Sequence, residues 1–316
     1  MTEPTAAGPT SGPPVSPGAT RATLVPSAPA PGSLSVLGQA IPTGPSESPI
    51  GRAFGRAWRA LLNGIVFAVV GFILWEVLVK ISGVTPYIAK TPGDVYHFLF
   101  TDPDAAVNRA ILNHAFWTTA RDMAIGFVAG TLAALVFANI FALRREVEQA
   151  VMPVAMILRT VPLVAMVPLI ALIFGRGLWG VAVIAGIVTF FPTLVNVTLA
   201  LRAIPDESFD LMHGYGATRF VTLRKVQFPG AMPALFASAR IAAPLALTGA
   251  LLAEWLATGK GAGYLMLTSS NQGNYDMMWA SVVLVVVAAV ILYSVLSGIE
   301  TLVLDRYAPG QNRRVI

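Results

Sequence analysis

Residues 205–235 read PDESFDLMHGYGATRFVTLRKVQFPGAMPAL and join two strongly apolar segments, 178–201 and 234–257. Pro205 sets the φ of a helix start, and Asp206 and Glu207 fall in the first turn, where negative charge complements the helix dipole. Phe209 and Met212, three apart, share a face, as do Leu211 and Tyr215, four apart. Gly214 and Gly216 then stop the helix. A second short helix is expected from Thr218 to Gln227, with Arg219, Arg224 and Lys225 solvated, ending before Pro229. A short amphipathic helix with exposed aromatics suits a groove in a soluble partner, and it equally suits a place on lipid headgroups. The residues alone leave both readings open.

Composition decides the setting of this turn. Of 316 residues, 55% are hydrophobic and only 12% charged. Soluble domains carry about 25% charged residues, so the chain reads as an all-α, polytopic membrane protein. A bilayer core of ~30 Å takes about 20 apolar residues per helix. Six segments meet that length, at about 60–79, 121–143, 149–175, 178–201, 234–257 and 279–304. An even count puts both termini on one side. With that side cytoplasmic, Lys and Arg fall inside over outside by roughly two to one, as the positive-inside rule requires. Arg144, Arg145, Arg202, Arg219, Arg224 and Lys225 are among the inner cations; Arg121, Arg176 and Lys260 are among the outer ones. The net charge of +5 is therefore topology, and no nucleic-acid partner is expected. Cysteine is absent, and His97, His114 and His213 lack metal-ligand spacing. No metal or haem centre is expected.

Residues 1–48 are dominated by Pro, Ala, Gly, Ser and Thr. Such a segment cannot bury enough surface to offset its ordering entropy, so a disordered cytoplasmic tail is expected ahead of a membrane domain at 49–316. Arg52, Arg56 and Arg59 with Phe54 and Trp58 form an interfacial lead-in to the first span. The longest outer connection runs from Ile81 to Ala115, with a short helix beginning at Thr91-Pro92-Gly93-Asp94. The third span, with Pro153, Pro162 and Pro168, should be broken and buried among neighbours or line a cavity, because each internal proline frees a carbonyl.

Three charges lie within spans, where an unpaired charge is costly. Arg159 stands just ahead of Thr160 and Pro162. It reads either as a cation that attracts an anionic solute at a helix break or as half of an interhelical ion pair. Arg240 is expected to snorkel to the interface. Glu254 precedes Trp255 near the outer end of the fifth span and reads as a structural pair or a substrate contact. The sequence TGKGAG at 258–263 lacks a preceding strand and reads as a flexible outer connection, not a phosphate loop.

The turn resembles the EAA motif of permease subunits of ABC importers: Glu-Ala-Ala, three residues, Gly, nine residues, Ile-x-Leu-Pro. Asp210, Leu211 and Met212 stand at the first positions, Gly216 at the glycine, and Val226, Phe228 and Pro229 at the end. The acid survives as Asp210; the two alanines have become Leu211 and Met212. Residues 158–177 and 240–265 are also similar to the third and fifth spans of the binding-protein-dependent type I family, nitrate/sulfonate/taurine-type. The resemblance implies a type I permease fold with six transmembrane helices and a coupling helix between helices 4 and 5. It implies a homodimer of permeases, two ATP-binding subunits that hold ATP and Mg, and a periplasmic or lipid-anchored solute-binding protein. It places the chain in the bacterial plasma (inner) membrane, both termini cytoplasmic. Coupling to the ATPase would fall to Asp210, Leu211, Met212, Tyr215, Gly216, Arg219, Val226 and Pro229. Arg159, Thr160, Pro162 and Glu254 are the candidates for the solute pathway.

No G-x-x-x-x-G-K-[ST] occurs, so ATP hydrolysis by this chain is not expected. The expected function is ATP-driven import of a small anion such as a sulfonate, taurine or nitrate, with an aromatic or pyrimidine-type solute as the alternative. A stand-alone secondary transporter is disfavoured by the absence of an inverted repeat and of intramembrane acids for ion coupling. An intramembrane enzyme lacks a convergent nucleophile, base or metal set.

Overall fold

Two glycines decide how the central helices meet. A Cβ on Gly126 would overlap the Ala182 carbonyl oxygen, and one on Gly130 would overlap that of Gly186. Helix α3 (Ala105–Leu143) and helix α6 (Leu178–Arg202) can therefore touch backbone to backbone, and they form the most extensive helix pair among the described residues. Apolar solvent provides no hydrophobic drive between helices, so close approach through small residues carries their association.

The computed structural model describes residues 69–307 together with Gly64 and Val66. The 1–48 tail, the arginine lead-in at 52–59 and the beginning of the first expected span at 60–79 lie outside the described residues. Within them the chain is all-helical. Helix α1 covers 69–81. Helix α2 (Pro92–Tyr96) passes through a π-turn, His97–Thr101, and α3 follows. Next come α4 (Arg145–Thr160), α5 (Leu163–Phe174), α6 and the short α7 (Asp206–Gly214). Helix α8 (Arg219–Thr222) leads through a π-turn, Leu223–Gln227, into α9 (Phe228–Leu256). Helices α10 (Ala262–Asn271) and α11 (Tyr275–Tyr307) complete the order.

Among the described residues four stretches are long and apolar enough to cross a membrane: 105–143, 178–202, 219–256 and 275–303. The α4–α5 pair makes a fifth if it is one span bent by 105°. Several boundaries differ from the sequence expectation. Helix α3 starts at Ala105, so the outer connection is shorter than 81–115. Its first turns tolerate Arg109 because that side chain donates back to the Leu99 carbonyl and lies over the Phe100 ring. At 1.5 Å per residue its 39 residues extend about 58 Å, roughly twice a bilayer core. The chain also does not stop before Pro229. The Phe228 N–H reaches five residues back to Leu223, and this wider turn accommodates a proline that cannot donate.

The core lies where α3, α6 and α9 converge, around Val167, Ile184, Ala185, Ala246 and Ala250. A second cluster gathers Phe141, Leu194, Val197 and Leu201 with Leu223 of the π-turn. A third joins Val95 and Leu112 to Met277 and Ala280, beside the stacked rings of Trp75 and Trp279. The connection 82–91 is pinned to the start of α11. Tyr87 donates to the Gly273 carbonyl, Trp279 donates to Ile88, and Lys90 pairs with Asp276 at 3.1 Å. Thr91 and Asp94 cap α2 reciprocally, as a capping box. The outward rows of α5 and α11, including Leu172, Ile173, Val290 and Ile291, stay exposed; apolar surface of that extent belongs against lipid or protein.

Candidate functional site

The polar turn is a built structure, closed at both ends. Helix α7 ends in a Schellman arrangement. Gly216 takes a left-handed φ of +69°, its N–H donates to His213, and the N–H of Ala217 donates to Met212. The left-handed backbone falls on Gly216 alone, while Gly214 is the last helical residue. The Thr218 hydroxyl then accepts the Val221 N–H and starts α8. Phe209 and Met212 are half-buried against the body, whereas Leu211 and Tyr215 are 60% and 81% exposed. Asp210 and Arg219 are exposed as well, and Val226 and Pro229 are half-buried at the root of α9.

Two polar ties hold the base of this turn. Buried Gln227 donates to the Leu201 carbonyl at 3.0 Å, and Arg202 pairs with buried Glu148 of α4. Between α7 and the α3–α4 junction lies a groove of about 450 Å³, bordered by Arg145, Asp210, His213 and Arg219. The outward face of α7 is thus apolar and aromatic at its centre and charged at its rim, on a rigid root.

The second region is the α4–α5 break. Val161 is extended and Pro162 caps α5, so the two helices diverge by 105°. Of the three prolines in this segment, Pro162 marks the break, while Pro153 and Pro168 sit within helices. Thr160 donates to the Ile157 carbonyl at 2.7 Å, which satisfies one freed acceptor. Beside the break is a cavity of about 280 Å³. Arg159 lines it, exposed, and makes no ion pair among the described residues.

The other in-span charges are paired. Arg240 does not simply snorkel: its Nη1 lies 2.9 Å from Oε2 of Glu300, and its guanidinium lies over Tyr293. The ion pair is off the line of a hydrogen bond. Glu254, 1% exposed, accepts the Thr119 hydroxyl at 2.8 and 2.9 Å and the Gly263 N–H at 2.8 Å. Thr119 in turn accepts the Ala262 N–H. Gly261, at φ +94°, packs against the carboxylate with no room for a Cβ. The 258–263 loop is therefore clasped to α3 by Glu254, in a region apart from the Arg159 cavity. No sequence pattern marks Thr119 as its partner.

The described residues, all helical with several stretches long and apolar enough to cross a membrane, place the chain in the class of polytopic membrane proteins. Residues 126–308 match the family of binding-protein-dependent transport system inner membrane components, and the chain belongs to that family. It is an ABC transporter permease. It is 30% identical to the riboflavin transport system permease protein of Chloroflexus aurantiacus, covering 74% of this chain and 86% of that one. It is 27% identical to a probable ABC transporter permease protein of Haemophilus influenzae, over 74% and 93% of the two chains. The putative aliphatic sulfonates transport permease protein of Bacillus subtilis is 22% identical, over 73% and 82%. A chain of the inward-facing MetNI methionine ABC transporter shares the fold, with a TM-score of 0.54 and 21% identity over 61% of this chain and 96% of that one.

Proposed function

We propose that this permease forms the translocation pathway of an ATP-driven importer for a small anion, and that α7 is its coupling helix. Two copies form the pathway, with six spans each, the first at about 60–79, and both termini cytoplasmic. Two ATP-binding subunits, carrying ATP and Mg, grip the α7 turns, and a solute-binding protein delivers the solute from the opposite face. The observation that carries this reading is the exposed pair Leu211 and Tyr215 on a turn rooted by Gln227 and by the Glu148–Arg202 pair. A mobile loop transmits little force, whereas a helix fastened to α4, α6 and α9 moves them when it is pushed. Asp210, Met212, Gly216, Arg219, Val226 and Pro229 set the shape and rim of the knob. Arg159, Thr160 and Pro162 contribute the pathway, and Glu254 holds the frame.

The test is affinity purification of the chain from its native membrane. The expected result is an ATP-hydrolysing subunit in equimolar amount. The Leu211→Ala/Tyr215→Ala variant should bind that subunit about thirtyfold more weakly, the loss of one aromatic anchor. Recovery of the permease with no ATPase would overturn the reading. Anion uptake into vesicles should fall in Arg159→Ala and survive in Arg159→Lys.

A further inference from the structure

From the cavity beside the α4–α5 break we infer the class of solute: an organic anion with one charged headgroup on an apolar body. The inference rests on the pathway role proposed for Arg159. Four charges within the described spans have counterparts: Arg240 on Glu300, Glu254 on Thr119 and Gly263, Asp122 on Arg121, and Glu148 on Arg202. Arg159 makes no ion pair among the described residues, and it opens into a cavity. A cation within an apolar membrane segment is costly unless it meets water or an anion. A solute headgroup supplies that partner.

The remaining lining selects the rest of the molecule. Met166, Ile187, Val188, Phe191 and Leu245 face the cavity, and no acid, amide or hydroxyl residue does. Nitrate or bicarbonate has no apolar body to bury against these walls, so either would gain the guanidinium contact alone while giving up part of its hydration. An apolar body buried there gains ~25 cal/mol per Å². A zwitterion such as taurine fares poorly for another reason: its ammonium finds no carboxylate among the lining side chains. The volume of about 280 Å³ is close to the ~300 Å³ lower bound of small-molecule pockets, larger than a lone inorganic anion needs. Met166 and Phe191 further suit a flat or flexible apolar group, since a thioether adapts its shape and an aromatic ring stacks.

The experiment uses the full chain with its co-purifying subunits in nanodiscs, photolabelled with 4-benzoylbenzoate and mapped by mass spectrometry. Labelling is expected on the peptides carrying Met166 and Phe191. It should be displaced by hexanesulfonate and untouched by nitrate or taurine at the same concentration. Arg159→Gln should weaken displacement by hexanesulfonate about ten- to a hundredfold, the loss of a charge-assisted contact, and Arg159→Lys should restore most of it. Equal displacement by nitrate or taurine, or equal labelling by uncharged 4-methylbenzophenone, would overturn the inference. So would loss of the hexanesulfonate effect in phosphatidylglycerol nanodiscs but not phosphatidylcholine ones, since the site would then belong to anionic lipid. If Arg159→Ala abolishes uptake while nitrate displaces the label, the pathway role stands and only the solute class falls.

Discussion

At the scale of single residues, two positions separate packing from polar satisfaction. Gly130 faces the backbone of Gly186, so an added methyl has no flexible side chain to displace. Gly130→Ala must push α3 from α6, an overpacking cost of about 1–3 kcal/mol. Gly298 in α11 has nothing within 4 Å of an added Cβ, so Gly298→Ala should be neutral or stabilising by up to ~1 kcal/mol. Thermal unfolding in detergent should show a lowered Tm for the first variant only. Glu254 poses the polar question. Its carboxylate accepts both the Thr119 hydroxyl and the Gly263 N–H. A glutamine keeps one oxygen and turns an NH2 group towards one of these two donors. Glu254→Gln should therefore cost about 1–3 kcal/mol, and Glu254→Ala more, because it strands both donors in a buried place. Proteolysis at residues 257–261 should follow the same order. Equal resistance in all three proteins would show that the clasp does not hold the loop.

At the scale of elements, the break between α4 and α5 is the feature with the clearest mechanical consequence. Pro162 cannot donate to Leu158 and disfavours helical φ/ψ at the residue before it; Val161 is extended and the helices diverge there. Pro162→Ala removes that bias and restores the N–H. Spin labels at Val154 and Leu172 should then move apart towards the ~27 Å of a continuous helix, and anion uptake should fall with the cavity gone. An unchanged distance would place the cause of the bend in packing instead. The start of α2 shows a different control. Asp94 accepts the backbone N–H of Thr91, and this bond, more than the Thr91 hydroxyl or Lys90, holds its carboxyl below the ordinary value. A lowered folded pKa stabilises α2 above the unfolded value of ~3.9 and withdraws that support as pH falls through the folded one. The side chain is exposed, so the effect is local. Protection of the Val95 amide, relative to its intrinsic exchange rate at each pH, should fall only in acid, and Asp94→Asn should remove that dependence. These elements also show what a chain discloses beforehand. The limits of helix α6 were legible because Arg176 and Arg202 bound an uninterrupted apolar run. Arg159 was legible as an isolated charge in such a run. The upstream extension of α9 was not, since Pro229 reads as a stop and only the π-turn removes the conflict. Nor was the Glu254–Thr119 contact, which joins residues 135 positions apart through a threonine that looks like any other in an apolar helix.

At the scale of the whole molecule, the proposed direction of transport depends on which side each end of α9 faces. The run from Arg219 to Leu256 is 38 residues of helix, about 57 Å at 1.5 Å per residue, so Tyr215 and Lys260 cannot share a membrane surface while it spans. Charge favours one orientation. Arg202, Arg219, Arg224 and Lys225 crowd the Tyr215 end, whereas Lys260 shares the opposite end with Arg121 and Arg176. Because the chain has no cysteine, single Tyr215→Cys and Lys260→Cys variants carry one reactive thiol each. A membrane-impermeant maleimide should modify Lys260→Cys in right-side-out vesicles and Tyr215→Cys only in inverted ones. The assembled complex adds a second condition. With α7 seated in an ATP-binding subunit, Tyr215→Cys should be shielded in inverted vesicles and should become reactive when that subunit is stripped away, whereas Lys260→Cys should not respond to stripping. Labelling of both thiols from one side would mean that α9 does not span, and the lever joining α7 to the Arg159 cavity would have no membrane to work across.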